Sequence, residues 1–168
     1  MLVQVCGLPG TGKSTLAARV ADARGAVLLR IDAIEAAMWR NGLEPERTGV
    51  AAYSVAHAVA LPHLQRGLVV VADAVSAVEA ARAGWRSTAE RAGVPLRVVE
   101  AVLPDPAEHR RRITTRANDL EGFELPTWDQ VRAGAEHYEP RADDRLVVDT
   151  RAPLEDCVRE VLAFLDRG

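Results

Sequence analysis

Lys13 is the only lysine in the chain, set against twenty arginines, and it stands in GLPGTGKST, residues 7 to 15. A fixed positive charge elsewhere can be arginine, but an ammonium that must pass through a ring of backbone amides has no substitute in a broad, planar guanidinium. From Gly7 to Ser14 the segment satisfies G-x-x-x-x-G-K-[ST] at every position. These residue types in this order cradle phosphates. Gly7, Pro9, Gly10, Thr11 and Gly12 make a loop whose amides, with the positive end of the following helix, receive phosphate oxygens. Lys13 is expected at the terminal phosphates and the Ser14 hydroxyl at a Mg²⁺ ion, with Thr15 completing the site. A glycine-rich turn that binds nothing is the competing reading; the full match between a strand and a helix weighs against it.

What happens to the terminal phosphate depends on carboxylates. Asp73 closes the aliphatic run LVVVAD and is suited to hold the metal directly or through water, but Ala74 follows it where hydrolytic enzymes commonly place a water-activating glutamate. Asp32 opens IDAIEAAMW after another aliphatic run, where a carboxylate can orient a substrate hydroxyl and accept its proton. The same aspartate could serve as a helix N-cap, and the two roles are compatible. In the run His109, Arg110, Arg111, Arg112 and Arg116, a helical phase with Ile113, Ala117 and Leu120 buried puts His109, Arg112 and Arg116 on one flank and Arg111 toward solvent. Arg112 and Arg116 can then close on one phosphate chain, or else form part of a solvated basic face paired with Asp105, Glu108 or Asp119.

Five short aliphatic runs must position these groups: residues 2–6, 26–31, 68–72, 96–102 and 146–149 read as buried parallel strands with amphipathic stretches between them, an α/β alternation. Leu16 and Val20 begin one apolar helix face; Val78, Ala81, Trp85 and Ala89 form another; Leu154, Val158, Val161, Leu162 and Leu165 form the last. Residues 47–66 read as helical, with Pro62 expected to kink or divide the helix. Asp105, Pro106 and Glu108 read as one capping box and Thr127 with Gln130 as another. Between the two helices so defined, residues 120–126 carry no helical pattern and are expected to form a mobile flap.

At 168 residues the chain reads as one domain, 1–168. A formal net charge of −3 with interspersed signs provides no basic field for a nucleic-acid backbone. Cys6 and Cys157 fall in apolar stretches without metal-ligand spacing, as buried thiols of a reducing compartment do. No apolar run approaches the roughly 20 residues of a membrane helix, and the first residues run straight into a strand, so a cytoplasmic protein without a leader is expected.

Taken together, GLPGTGKST, IDAIEAAM, LVVVAD and RITTRANDLEGFELPTW resemble the small P-loop kinases, in the branch that includes chloramphenicol phosphotransferase, gluconate kinase and the kinase domain of polynucleotide kinase. The resemblance covers nearly the whole chain. It implies a P-loop NTPase fold of the nucleoside/nucleotide-kinase type, with a five-stranded parallel sheet of order 2-3-1-4-5 and a small helical lid at about 105–138. It also implies ATP and Mg²⁺ as cofactors, Asp32 in the base position, Arg112 and Arg116 in the lid positions, and adenine contacts from Thr150, Arg151 and Ala152. Glu35 departs from the pattern, because polynucleotide kinases carry an arginine there for the substrate phosphate. That departure and the net charge point to a small hydroxyl-bearing acceptor, an antibiotic or metabolite. The alternatives are a nucleoside, nucleotide or 5'-hydroxyl polynucleotide kinase, and a regulatory nucleotide switch with a protein partner. Trp39, Tyr53 and His57 are candidates for the acceptor pocket; as packing groups they would be half-buried instead.

Overall fold

The five aliphatic runs form one parallel sheet in the computed structural model, which describes residues 1–167. Its strands are β1 (Leu2–Cys6), β2 (Val27–Arg30), β3 (Val70–Asp73), β4 (Leu96–Val102) and β5 (Leu146–Asp149), in the order β2-β3-β1-β4-β5 that the resemblance implies. Helices are α1 (Lys13–Arg24), α2 (Ile31–Arg40), α3 (Pro45–Gln65), α4 (Glu79–Ala92), α5 (Pro106–Thr115), α6 (Trp128–Glu136) and α7 (Leu154–Leu165). Every residue of the central strand β1 is buried, because it has strands on both sides and helices on both faces.

Alternation along the strands feeds two cores. Val3, Val5, Val71 and Val99 meet Leu16 and Val20 of α1 and Val161 and Leu165 of α7. Leu2, Val70 and Ala72 point the other way, onto Ala52, Ala56, Ala60 and Leu64 of α3 and Trp85 of α4. Val5 and Arg30 both lie opposite Asp73, and Val102 lies opposite Asp149. The strands therefore finish along one edge, which is where open α/β sheets take their ligands.

Several boundaries differ from expectation, each for a local reason. β2 is shorter than 26–31, because Ile31 already turns into α2 and packs in the α3 core. β3 starts at Val70 rather than at Leu68: pairing with β1 begins where Val70 stands opposite Leu2 and donates to the Met1 carbonyl. Pro62 neither kinks α3 apart nor divides it; the helix runs unbroken over 21 residues, since the proline falls in its last turn and the stripe Ala52, Ala56, Ala60 and Leu64 holds it down. Thr127 and Gln130 form a full capping box. Asp105 caps α5 by accepting from the Ala107 and Glu108 amides, but Glu108 does not return the bond, because both arginines 111 and 112 claim its carboxylate. α5 stops at Thr115, so Ala117 is exposed and the anticipated stripe ends at Ile113.

On α4, Trp85 and Ala89 are buried as expected, whereas Val78 is 41% exposed at the N-cap. Its place on the inward face goes to Arg82, 2% exposed, which donates to the carbonyls of Ser76, Ala77, Glu139 and Pro140 and stacks over the Tyr138 ring. One buried guanidinium thus ties the start of α4 to the segment after α6. Arg82→Met should lower stability by about 2–4 kcal/mol, because it strands carbonyls that have lost a charged donor; urea unfolding measures the loss. Burial pushes the Cys6 thiol up to about 11, and Cys157 is likewise raised by burial, so neither is a ready nucleophile. Among the described residues no helix is long and apolar enough to cross a membrane.

Candidate active site

The loop between β1 and α1 takes its shape from glycines that no other residue could replace. Gly10 has φ +83°, and a Cβ there would lie 2.5 Å from Ile113 Cδ1 of α5. Gly7 is also left-handed, at φ +137°, with the Ala101 carbonyl in the way of any side chain. The loop is therefore pressed against α5, and His109 seals the contact with Nε2 2.7 Å from the Pro9 carbonyl and its ring edge-on to Trp128. Thr11 is buried and its hydroxyl donates to the Leu8 carbonyl. Gly12, Lys13, Ser14 and Thr15 open α1 and line a cavity of about 440 Å³.

Asp73 ends β3 close enough to feel Lys13 and Ser14, though it does not itself line the cavity. It is 2% exposed, and its Oδ1 has no hydrogen-bond partner. Burial pushes its carboxyl above the ordinary range; the Lys13 charge, a hydrogen bond from Ser14 and the Arg30 charge pull it back, while Asp32 adds to the rise. Lys13 itself is 5% exposed.

Asp32 lines the same cavity from the second position of α2. It is not the N-cap: Arg30 occupies that position, and no side chain caps the helix. Its negative charge is felt by Glu35, which burial first and Asp32 second raise above the usual carboxylate value. Arg116 also lines the cavity, but from extended backbone at the end of α5 rather than from the helical flank expected for it. Its Nε and Nη2 are buried without partners, and burial lowers its pKa against the pull of Asp32.

Arg112 sits between two cavities. It donates from Nη2 to the Thr150 carbonyl at 2.9 Å and from Nε to Glu108 at 2.9 Å, while the Thr150 hydroxyl donates to the Thr11 carbonyl at 2.7 Å. Beyond it lies a smaller cavity of about 250 Å³ lined by Leu16, Thr150, Ala152 and Leu154. Arg151 lines neither; its guanidinium is exposed and held by the Asp149 carboxylate.

The expected acceptor-pocket residues are placed elsewhere. Trp39 stacks on Phe123 with centroids 4.8 Å apart and donates from Nε1 to Thr48 at 2.7 Å. His57 packs edge-on to Trp85 at 4.2 Å and meets the Thr88 hydroxyl through Nδ1, and burial lowers its pKa. The Tyr53 hydroxyl accepts from the Ser76 amide at 3.0 Å. Trp39 packs between α2, α3 and Phe123, Tyr53 and His57 pack between α3 and α4, and none of the three lines the cavity of about 440 Å³.

Arg30, which sequence reasoning passed over, and Asp119, which it named only as a partner for the arginines of a solvated face, both line the cavity of about 440 Å³. Arg30 ends an aliphatic strand two residues before Asp32, and a lone charge at the ligand edge of a sheet was the available signal. Residues 120–126, expected to be a mobile flap, are tied to α2 by the Trp39–Phe123 stack and by Arg40, which donates to the Glu121 carbonyl.

The arrangement offers a polyphosphate the amides of a bare loop, an ammonium, a serine hydroxyl and a buried carboxylate, with the carboxylate of Asp32 lining the same cavity as Lys13 and Ser14. A sequence profile of the AAA_33 family, described as an AAA domain, matches residues 2–140. The chain belongs to that family. No functionally curated protein matches this AAA_33 chain at a significant level. Its fold is shared by solved P-loop kinases. A sugar kinase from Janibacter sp. HTCC2649 aligns with TM-score 0.74 and 20% identity over 98% of this chain and 94% of that one. A gluconokinase from Sinorhizobium meliloti 1021 aligns with TM-score 0.69 and 24% identity over 99% and 91%. The APS kinase of Mycobacterium tuberculosis, solved with AMPPNP and APS, aligns with TM-score 0.71 and 20% identity over 98% and 96%.

Proposed function

We propose that this AAA_33 protein is a single-domain kinase that moves the γ-phosphate of ATP to a hydroxyl of a small molecule. The observation that carries the reading is the shared cavity: Lys13, Ser14, Asp32 and Arg116 all line it. Its occurrence in a fold shared with a sugar kinase, a gluconokinase and an APS kinase supports a small acceptor.

The residues present fit ATP·Mg²⁺. Gly7 and Gly10 leave the backbone bare where a Cβ would collide, and the buried Oδ1 of Asp73 has no protein partner. Ser14 and Asp73 would hold the metal. Among the described residues no group of three His, Cys, Asp or Glu is arranged to bind one alone, so phosphate oxygens would complete its shell. The small apolar-lined cavity beside Leu16, Thr150 and Ala152 suits the base, with Arg112 between base and phosphates. ATP·Mg²⁺ supplies an activated phosphoryl group and neutralises its charge.

The chain's own residues do the rest. Lys13 and the loop amides fix the donor, Asp32 orients the acceptor hydroxyl and takes its proton at a carboxylate oxygen, and Arg112 and Arg116 stabilise charge on the transferring group. Ala74, fully buried after Asp73, offers no water-activating side chain. The test is γ-labelled ATP·Mg²⁺ with a panel of sugars, sugar acids, aminoglycosides, nucleosides and oligonucleotides. Label in a phosphate ester of a small acceptor is expected. Label only as free phosphate across the panel, at a rate indifferent to Asp32→Asn, would favour a regulatory switch instead.

A further inference from the structure

Arg116 presents a puzzle of placement. Two of its guanidinium nitrogens are buried without a partner, and it lies outside α5 on extended backbone, yet it is held against the cavity that contains Asp32. Nothing bonded to those two nitrogens holds it there, so the constraint must come from the chain on either side. On one side the Arg116 amide donates to the Arg112 carbonyl at 3.1 Å and so stays with the helix. On the other, three residues on, Asp119 is gripped by Arg30 through two bonds, Nη1–Oδ2 at 2.5 Å and Nη2–Oδ1 at 3.1 Å. Arg30 is the last residue of β2, opposite Asp73 in register, with Nε 3.6 Å from the Asp73 Oδ2. The segment carrying Arg116 is thereby fastened to the same sheet edge that carries Asp73 and Asp32.

We infer that the Arg30–Asp119 pair is a positioning device for Arg116 in the phosphoryl-transfer site, acting through the main chain from 116 to 119. The inference rests on the kinase reading for the reaction it serves, but its action falls on the terminal phosphoryl group and not on the acceptor. A planar bidentate pair fixes orientation as well as distance, which a single contact would not. Asp119 is 63% exposed, so the pair contributes little to global stability, and its value lies in geometry. A guanidinium displaced by about 1 Å from a developing charge costs up to about 10²-fold in rate.

Release of labelled phosphate from ATP·Mg²⁺ to water, measured without any acceptor, isolates this role. Asp119→Asn should slow that release about 10- to 100-fold while KM for ATP changes less than about twofold and the melting temperature stays within about 3 °C of the parent. Asp119→Glu, which keeps the charge pair, should recover most of the rate. In an Arg116→Gln background Asp119→Asn should have no further effect, because the residue it positions is gone. An equal slowing by Asp119→Asn with and without Arg116, or an unchanged rate in the single variant, would overturn the inference. A failure of the kinase reading would leave a different trace: no label in any acceptor, with the Asp119 and Arg116 effects on phosphate release still coupled.

Discussion

Asp32→Asn is expected to lower transfer to the acceptor by about 10²- to 10⁴-fold while leaving ATP affinity within about twofold of the parent. The asymmetry follows from position. Asp32 lines the cavity from the first turn of α2 and makes no contribution to the P-loop, whose shape is fixed by Gly7, Gly10 and the packing of α5. It does not cap its helix, so the amide should cost little fold stability through the helix terminus. What it removes is the carboxylate that, in the proposed reaction, takes the proton of the acceptor hydroxyl, together with the charge that helps raise Glu35. Steady-state transfer rates and AMPPNP affinity, measured side by side, separate loss of chemistry from loss of binding.

Lys13→Met is expected to reduce transfer by about 10²- to 10³-fold or more, with nucleotide affinity falling as well, since it removes the charge that the proposed reaction sets against the terminal phosphates. It should also change how stability depends on pH in the nucleotide-free protein. Asp73 is an acid whose folded pKa lies above its unfolded one, because burial outweighs the Lys13, Ser14 and Arg30 contributions. The folded protein therefore binds the proton more tightly. The contribution of Asp73 to stability is fully present below the unfolded value of about 3.9 and declines as pH rises toward the folded value. Removing the Lys13 charge moves the folded value further up, so the decline should reach higher pH and be deeper in Lys13→Met than in the parent. Urea unfolding of both proteins at a series of pH values from 4 to 8 checks the sign: a stability deficit of Lys13→Met relative to the parent that shrank as pH rose would contradict it.

Features that depend on short stretches of chain were legible in the sequence. The phosphate loop is nine consecutive residues, and the five strands announce themselves as aliphatic runs because parallel strands are covered on both faces. The Thr127–Gln130 cap spans four residues and was found complete. Helical phase was also read correctly for Tyr53 and His57, which do share a face, but the pattern does not reveal what that face meets; it meets Trp85 and Thr88 of α4 rather than a ligand. Arg82 was invisible because a charged residue on an apolar stripe reads as a defect until four carbonyls from two segments are seen around it. Arg30 and Asp119 meet across 89 residues of sequence, and α5 had to end at Thr115 before Asp119 could reach back to the sheet edge. Local propensity contains no information about such a pairing.

The central claim is that donor and acceptor share one cavity, with Asp32 serving the acceptor. Its most direct measurement is the partition of γ-label between acceptor ester and free phosphate in a single turnover, for the parent and for Asp32→Asn at the same acceptor concentration. The account requires nearly all label in the ester for the parent and, for the variant, a slower reaction with the fraction in free phosphate raised. A variant that forms ester as fast as the parent, with unchanged partition, would contradict it.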